Sequence, residues 1–382
     1  MLFRSLGLLI VPSAAFLIPY ILFGLNSPLA IALFAANSDQ APSRIAGNVY
    51  ALSTVGSVLG ALLAAYRLIP TVGLVGTLRL TSLAMLVFAA LFFFSRPKHA
   101  SLLALLFLLP GFSLALPDPS FQWNDPHTLL YQGETQYSTV RVFQHDTDSR
   151  TMNVGYSLSS GLNLKTMQPL YTYATTMLQA VGDPHNLNIA VIGGAGHALA
   201  HALEAAGANV TEVEIDPAVA QLSDQWFGPL QHPTIIADGR TFLDHTQAAT
   251  YDVILLDCFI GPYAIPPQLV TRESYQAALH ALKPGGLLVQ NIIARPEGPY
   301  SKSMKAIYAT ALSIFPHVVA SQTTGTDLAN PILAASTDAG RLPPTWQVPN
   351  TTQAILLTDD LNPSDLLFDQ SVNGTIYYKT PR

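Results

Sequence analysis

Cysteine is almost absent from this chain: Cys258 is the single one in 382 residues. No intrachain disulfide can form, and no zinc site built on cysteines is expected. Acid is nearly absent from the first third. Residues 1–116 hold six bases (Arg4, Arg44, Arg67, Arg79, Arg96 and Lys98) and one acid, Asp39. That leaves 12 bases and 23 acids, a net charge of −11, for residues 117–382. The average composition therefore hides two polymers, an almost uncharged one and an acidic one. The acidic part repels nucleic acid and favours cationic ligands, so no nucleic-acid partner is expected.

What fills the first third is apolar sequence. A helix that crosses a bilayer needs about 20 mostly apolar residues. Residues 6–34 qualify, with kinks expected at Pro12, Pro19 and Pro28, and residues 45–66 and 73–94 follow. Residues 101–116 form a fourth, shorter run after the polar break Arg96-Pro97-Lys98-His99. A cleaved leader would have a shorter core and would not be followed by three more such runs. Residues 1–116 thus read as a transmembrane region of about four helices with the lipid bilayer as partner. Gly56 and Gly60 lie four apart with small neighbours, which suits close helix packing. Arg79 reads as a snorkelling end residue. Charge does not fix the orientation: with four spans, Arg4 and Arg67 face one side and Arg44, Arg96 and Lys98 the other.

After Pro117 the pattern changes. Residues 137–143 alternate like a strand and 151–158 read as another, a small β element over 117–165. Residues 169–181 read as a helix. The apolar strand 188–193 then runs into Gly193-Gly194-Ala195-Gly196 and a helix from about 197 to 206. Such glycines allow a tight turn and close approach to a ligand. The next strand, Val210 to Ile215, carries Glu214, 21 positions after Gly193. In a βαβ unit that spacing puts a carboxylate at the strand tip, within reach of a ribose diol. Leu199 stands where a dinucleotide fingerprint has its third glycine, which favours a nucleoside without pyrophosphate. Strand 234–237 ends in Asp238-Gly239-Arg240, strand 251–256 in Asp257, and Lys283-Pro284-Gly285-Gly286 turns into strand 287–291. Acids thus stand at the carboxyl ends of three successive strands, the ligand-binding edge of an open parallel sheet. The fold expected over 166–320 is an α/β, Rossmann-like, doubly wound sheet of the methyltransferase type. Residues 321–382, rich in Pro, Thr and Asp, read as an irregular extension.

These residues resemble the spermidine synthase family over about 130–320. The whole chain is similar to bacterial proteins described as fused major-facilitator transporter/spermidine synthase. The matching stretches are Gly47 to Gly56, Leu68-Ile69-Pro70, Gln136-Tyr137-Ser138, Val213-Glu214-Ile215-Asp216, Asp257-Cys258-Phe259, Pro266 through Tyr275, and Leu357-Thr358-Asp359-Asp360. The resemblance implies a transferase of polyamine biosynthesis whose co-substrate is decarboxylated S-adenosylmethionine, or S-adenosylmethionine itself, with no metal. Glu214 would hold the ribose and Asp238 the adenine amine, with Gly193, Gly194, Gly196 and Gly239 shaping the pocket. Asp257 would serve as catalytic carboxylate, with Tyr137 positioning it. Tyr171, Gln290 and Asn291 would line the site of a small amine such as putrescine. The implied location is a bacterial inner membrane, multi-pass, with the α/β part in the cytoplasm; a homodimer is left open.

Departures accompany the match. Ile260 replaces the second acid of the family's Asp-x-x-Asp loop. Gly196 stands where the glycine turn has its acid, and Met167-Gln168-Pro169-Leu170-Tyr171 lacks the acids of the family's upstream stretch. Two other functions therefore stay open: a methyltransferase using S-adenosylmethionine, and a binding module without catalysis. Plainer readings also stand beside each residue: an Asx turn for Asp238, a strand-end cap for Asp257, packing for Tyr137 and Cys258, a surface place for His197, and a structural turn for Asp359 and Asp360.

Overall fold

A computed structural model describes residues 24, 26–36, 38–95, 127–155, 157–259, 264–295, 301–321, 329–348, 351–352 and 354–364. The chain divides into two units, Met1–Trp123 and Asn124–Arg382.

In the first unit, helix α1 (Asn26–Ala35) precedes α2 (Pro42–Leu63), a π-helical turn (Ala64–Leu68) and α3 (Ile69–Ser95). Pro42 opens α2, where its missing N–H costs nothing. From Pro42 to Val87 these elements form the one helix, among the described residues, long and apolar enough to cross a membrane. The two expected runs 45–66 and 73–94 are joined, and the backbone leaves helical geometry at Gly73 (φ 74, ψ 176). That conformation is essentially restricted to glycine. Leu52, Val55, Leu59, Leu62, Leu74, Leu78 and Leu83 are exposed along this helix. A Cβ added at Gly56 or Gly60 would meet no atom within 4 Å, so none of the described residues packs closely on that small face. Most of the expected run 6–34 and all of 101–116 lie outside the described residues.

The second unit opens with an antiparallel meander: β1 (Thr128–Glu134), β2 (Thr139–Gln144), β3 (Ser149–Val154), β4 (Ser157–Asn163) and β5 (Gln168–Pro169). The single strand expected over 151–158 is in fact the hairpin β3–β4, broken at Gly155 (φ 68).

The main sheet takes β6 (Asn188–Ile192), β7 (Asn209–Glu214), β8 (Ile235–Ile236), β9 (Tyr251–Leu256), β10 (Leu282–Asn291), β11 (His317–Ala320) and β12 (Ile332–Ser336). Its order is β11-β12-β10-β9-β6-β7-β8. Strands β6 to β10 are parallel to their neighbours, and β12 runs antiparallel between β10 and β11. Helices α4 (Thr172–Val181), α5 (Ala198–Ala205), α6 (Pro217–Phe227), α7 (Gly239–His245), α8 (Arg272–Ala281) and α9 (Lys302–Leu312) complete the unit. This is the Rossmann-like sheet of the methyltransferase type, with its characteristic reversed strand. The segment expected to be an irregular extension supplies β12: all five residues, Ile332-Leu333-Ala334-Ala335-Ser336, are buried. Their apolar run was hidden by the polar average of the segment around them.

Burial on both faces explains why the parallel strands are nearly continuous Val, Ile and Leu. One face packs under α8 and α9 through Tyr275, Ile307 and Tyr308. The other packs under α4 and α5 through Met177, Leu199 and Leu203. A third core joins the meander to α6, with Val140, Val142, Met152 and Leu162 against Val219, Leu222 and Phe227. Through that core the loop between β1 and β2 reaches the carboxyl edge of the sheet. The strand order reverses between β6 and β9, and in open α/β sheets ligands bind at such a switch point.

Candidate active site

A cavity of about 350 Å³ opens at that switch point. Its wall includes Glu214 and Asp216 after β7, Asp238 and Gly239 after β8, Asp257 after β9, Asn291 at the end of β10, and Tyr137 from the meander. The three carboxylates expected at neighbouring strand tips therefore face one space. No lysine or arginine lies in the wall among the described residues, so its formal charge is wholly negative.

The glycine turn after β6 sets the geometry. Gly193 has φ 110, and a Cβ there would lie 2.2 Å from the carbonyl oxygen of Asp257. Only glycine lets β6 and β9 approach so closely at their tips. The N–H of Gly194 donates to Glu214 Oε2 at 2.9 Å, and that of Asp216 donates to Oε1 at 2.9 Å. These bonds fix the carboxylate and leave each oxygen a further lone pair for a ligand hydroxyl. Burial raises the proton affinity of Glu214, against the pull of these N–H donors.

Asp238 combines two readings. Its Oδ1 accepts from Thr241 N at 2.9 Å and caps α7, while Oδ2 accepts from Gln268 Nε2 at 3.3 Å at the cavity wall. Gly239 lines the wall beside it.

Asp257 stands in the middle. Its Oδ1 accepts from Asn291 Nδ2 at 2.8 Å, and the Tyr173 hydroxyl also donates to the carboxylate. Asn330 Nδ2 in turn donates to Asn291 Oδ1 at 3.2 Å. Desolvation pushes the Asp257 carboxyl up to about 6, although the Asn291 and Tyr173 bonds pull it down. The same surroundings push the Tyr173 phenol well above its ordinary range, first by burial and then by the negative field of Asp257. A half-buried carboxylate poised near neutrality suits a proton acceptor.

The remaining expected residues divide. Tyr137 lines the cavity and is 55% exposed. Gly194 acts through its N–H, whereas Gly196 (φ 64) is buried and donates its N–H to Ser223 Oγ, away from the wall. Two of the expected residues lie off the cavity wall. Gln290 points to the opposite face of β10, where it accepts from the Tyr275 hydroxyl at 2.6 Å, because alternate strand residues face opposite sides. Tyr171 precedes α4 and stacks on Tyr173 at 6.2 Å without reaching the wall. His197 is not on the surface but 1% exposed, paired with Glu212. Cys258 packs at the core and also lines the cavity. Burial, with Asp257 and Glu214 nearby, pushes its thiol well above the ordinary range, so it is no ready nucleophile. Asp359 forms a structural pair with Arg240 at 2.9 Å, and no cluster of metal-ligating residues occurs among the described residues. Ile260 lies outside them.

Sequence reasoning missed Tyr173 and Asn330. Tyr173 is two residues from Tyr171, one helical start away from the correct choice. Asn330 precedes β12, and nothing local signals that β12 pairs with β10.

The chain is similar to known proteins. A probable polyamine aminopropyl transferase of Bifidobacterium longum is 30% identical over 192 residues, covering 49% of this chain and 42% of that protein. A polyamine aminopropyltransferase of Vibrio vulnificus is 25% identical over 277 residues, covering 63% of this chain and 91% of that protein. The chain thus spans less than half of the first and nearly all of the second. A solved structure of a probable spermidine synthase from Corynebacterium glutamicum is 25% identical, covers 55% of this chain and 80% of that one, and has a TM-score of 0.49. Residues 169–320, which supply β6 to β11 and most of the cavity wall, match the family model described as spermine/spermidine synthase domain.

Proposed function

We propose that the chain is a membrane-attached transferase that binds an adenosyl sulfonium donor in this cavity and moves its aminopropyl group to a small amine. Glu214 receives the ribose hydroxyls and Asp238 the adenine amine. The acceptor nitrogen attacks the carbon beside the sulfonium. A nitrogen–carbon bond forms, the carbon–sulfur bond breaks, and its electron pair returns to sulfur, releasing neutral methylthioadenosine. The nitrogen sheds one proton, and Asp257 takes it. Asn291 and Tyr173 hold that carboxylate, and Tyr137 lies at the open mouth.

The observation that carries this reading is the charge of the wall. Glu214, Asp216, Asp238 and Asp257 line one cavity with no basic side chain among the described residues. Such a field attracts a sulfonium that also carries an ammonium. It disfavours S-adenosylmethionine, whose carboxylate finds no cation among the described residues of the wall, and this favours aminopropyl over methyl transfer.

Attachment to lipid rests on the first unit. Its 46-residue apolar helix is 6% buried in its most apolar window, unlike a core helix. At 1.5 Å per residue it measures about 70 Å, more than twice a bilayer's hydrocarbon core. The break at Gly73 divides the helical run from Pro42 to Ser95 into two segments, each at least as long as the hydrocarbon core of about 30 Å is thick. The test incubates purified protein with putrescine and decarboxylated S-adenosylmethionine. Methylthioadenosine should appear, and Asp257→Asn should abolish it. Absence of product, or turnover only with S-adenosylmethionine, would refute the proposal.

A further inference from the structure

Beneath the glycine turn lies a second cluster of ionisable groups that the proposed reaction does not use. His197 ends the turn with a left-handed backbone (φ 49, ψ 19), a conformation that side chains with a Cβ rarely adopt. Its Nδ1 lies 2.5 Å from Glu212 Oε2 on β7, and its Nε2 lies 3.2 Å from Asp224 Oδ1 on α6. Thr234 Oγ1 donates to the same Glu212 oxygen at 3.0 Å. On α5 itself, His201 meets the imidazole edge-on at 5.7 Å and bonds to the Gly228 carbonyl, and Glu204 is the other charged group that senses the ring. Glu212 is 3% exposed.

Glu212 and Glu214 are two apart on β7 and bracket the turn. Glu214 takes the Gly194 N–H from the cavity side. Glu212 lies directly under Gly194, where an added Cβ would be 2.7 Å from its Oε2. From α6, Ser223 Oγ accepts from Gly196 N at 2.8 Å and donates to Gly194 O at 3.3 Å. The turn is thus bolted from below by a buried carboxylate that needs a cationic partner. A side chain that merely filled this space would not require a strained histidine.

We propose that His197 is a positioning residue for the nucleoside pocket: clamped between Glu212 and Asp224, its imidazolium fixes the turn that presents Gly194 to Glu214, and ligand binding depends on that proton. The inference rests on the reading that the cavity takes an adenosyl group. Burial lowers the affinity of His197 for its proton, but the bonds to Glu212 and Asp224 outweigh it and raise the pKa above the ordinary 6.5. The clamp is therefore complete below 6.5 and lost as the pH rises through the raised value.

The test uses the full chain, with 5′-methylthioadenosine titrated calorimetrically from pH 6 to 9. Wild-type affinity should weaken on the alkaline side. His197→Asn tolerates the left-handed backbone without a titrating ring. It should bind about tenfold more weakly at pH 6.5, the loss of one charge-assisted hydrogen bond, and show no alkaline limb. Glu212→Gln keeps a hydrogen-bond acceptor and should move the limb to lower pH. Wild-type affinity and an unchanged pH profile in His197→Asn would overturn the proposal. Amide exchange of peptides spanning 193–197, without ligand, separates it from the adenosyl reading. Faster exchange in His197→Asn supports the clamp even if no form binds the nucleoside, and unchanged exchange overturns it.

Discussion

Replacing Asp257 by asparagine should make the protein more stable while removing its activity. The carboxyl is pushed from 3.8 to about 6 by burial. A folded-state pKa raised above the unfolded one means that the folded protein binds the extra proton. The contribution of Asp257 to stability is therefore greatest below 3.8 and falls as the pH rises through about 6. The difference corresponds to about 3 kcal/mol of ionisation cost at pH 8, and to about half of that at pH 5. Asparagine carries no charge; its amide oxygen still accepts from Asn291 Nδ2, and its amide N–H can donate to the Tyr173 hydroxyl oxygen, so both partners keep a bond. In detergent micelles, thermal unfolding followed by circular dichroism should place Asp257→Asn about 6 °C or more above wild type at pH 8. That gain should shrink by about half at pH 5. A variant less stable than wild type at pH 8, or a gain that ignores pH, would refute the assignment of Asp257 as a carboxylate held against its solvation.

Other outcomes follow from the same geometry. The rate of aminopropyl transfer should fall on the acid side of about 6, the Asp257 value, and Tyr173→Phe should move that limb to higher pH, because it removes a bond that favours the anion; a pH–rate profile measures both. Gly193→Ala should cost at least about 2 kcal/mol in thermal unfolding, since its φ of 110 and the Asp257 carbonyl 2.2 Å from the new Cβ leave no room. Arg240→Ala should lower global stability by no more than about 1 kcal/mol, because its pair with Asp359 is partly solvated. Limited proteolysis should nevertheless cut the segment around Asp359 faster. Alkaline carbonate extraction of cell membranes should leave the full chain in the pellet, whereas residues 124–382 expressed alone should be released.

The parallel strands and the acids at their tips were legible in the sequence because both depend on local spacing. A strand, a glycine turn, a helix and a strand occupy a fixed number of residues, so Glu214 is placed by counting from Gly193. What escaped is set by pairing across the fold. Strand β12 has only five residues, four of them apolar, and its place between β10 and β11 follows from the sheet alone. Asn330, positioned by β12, was hidden with it. Gln290 and Asn291 are neighbours in sequence, and only the strand's facing decides which one reaches the cavity. His197 looked like a surface residue because histidine is often polar surface; its partners, Glu212 and Asp224, are 15 and 27 positions away. Tyr173 and Tyr171 are equal candidates in one dimension, and the start of α4 chooses between them.

A structure of the full chain with 5′-methylthioadenosine tests the account most directly. The nucleoside should occupy the cavity with its ribose on Glu214, its adenine towards Asp238 and its sulfur facing Asp257. Density for it anywhere else, or an empty cavity at saturating ligand, would contradict the claim that these three carboxylates form one adenosyl site.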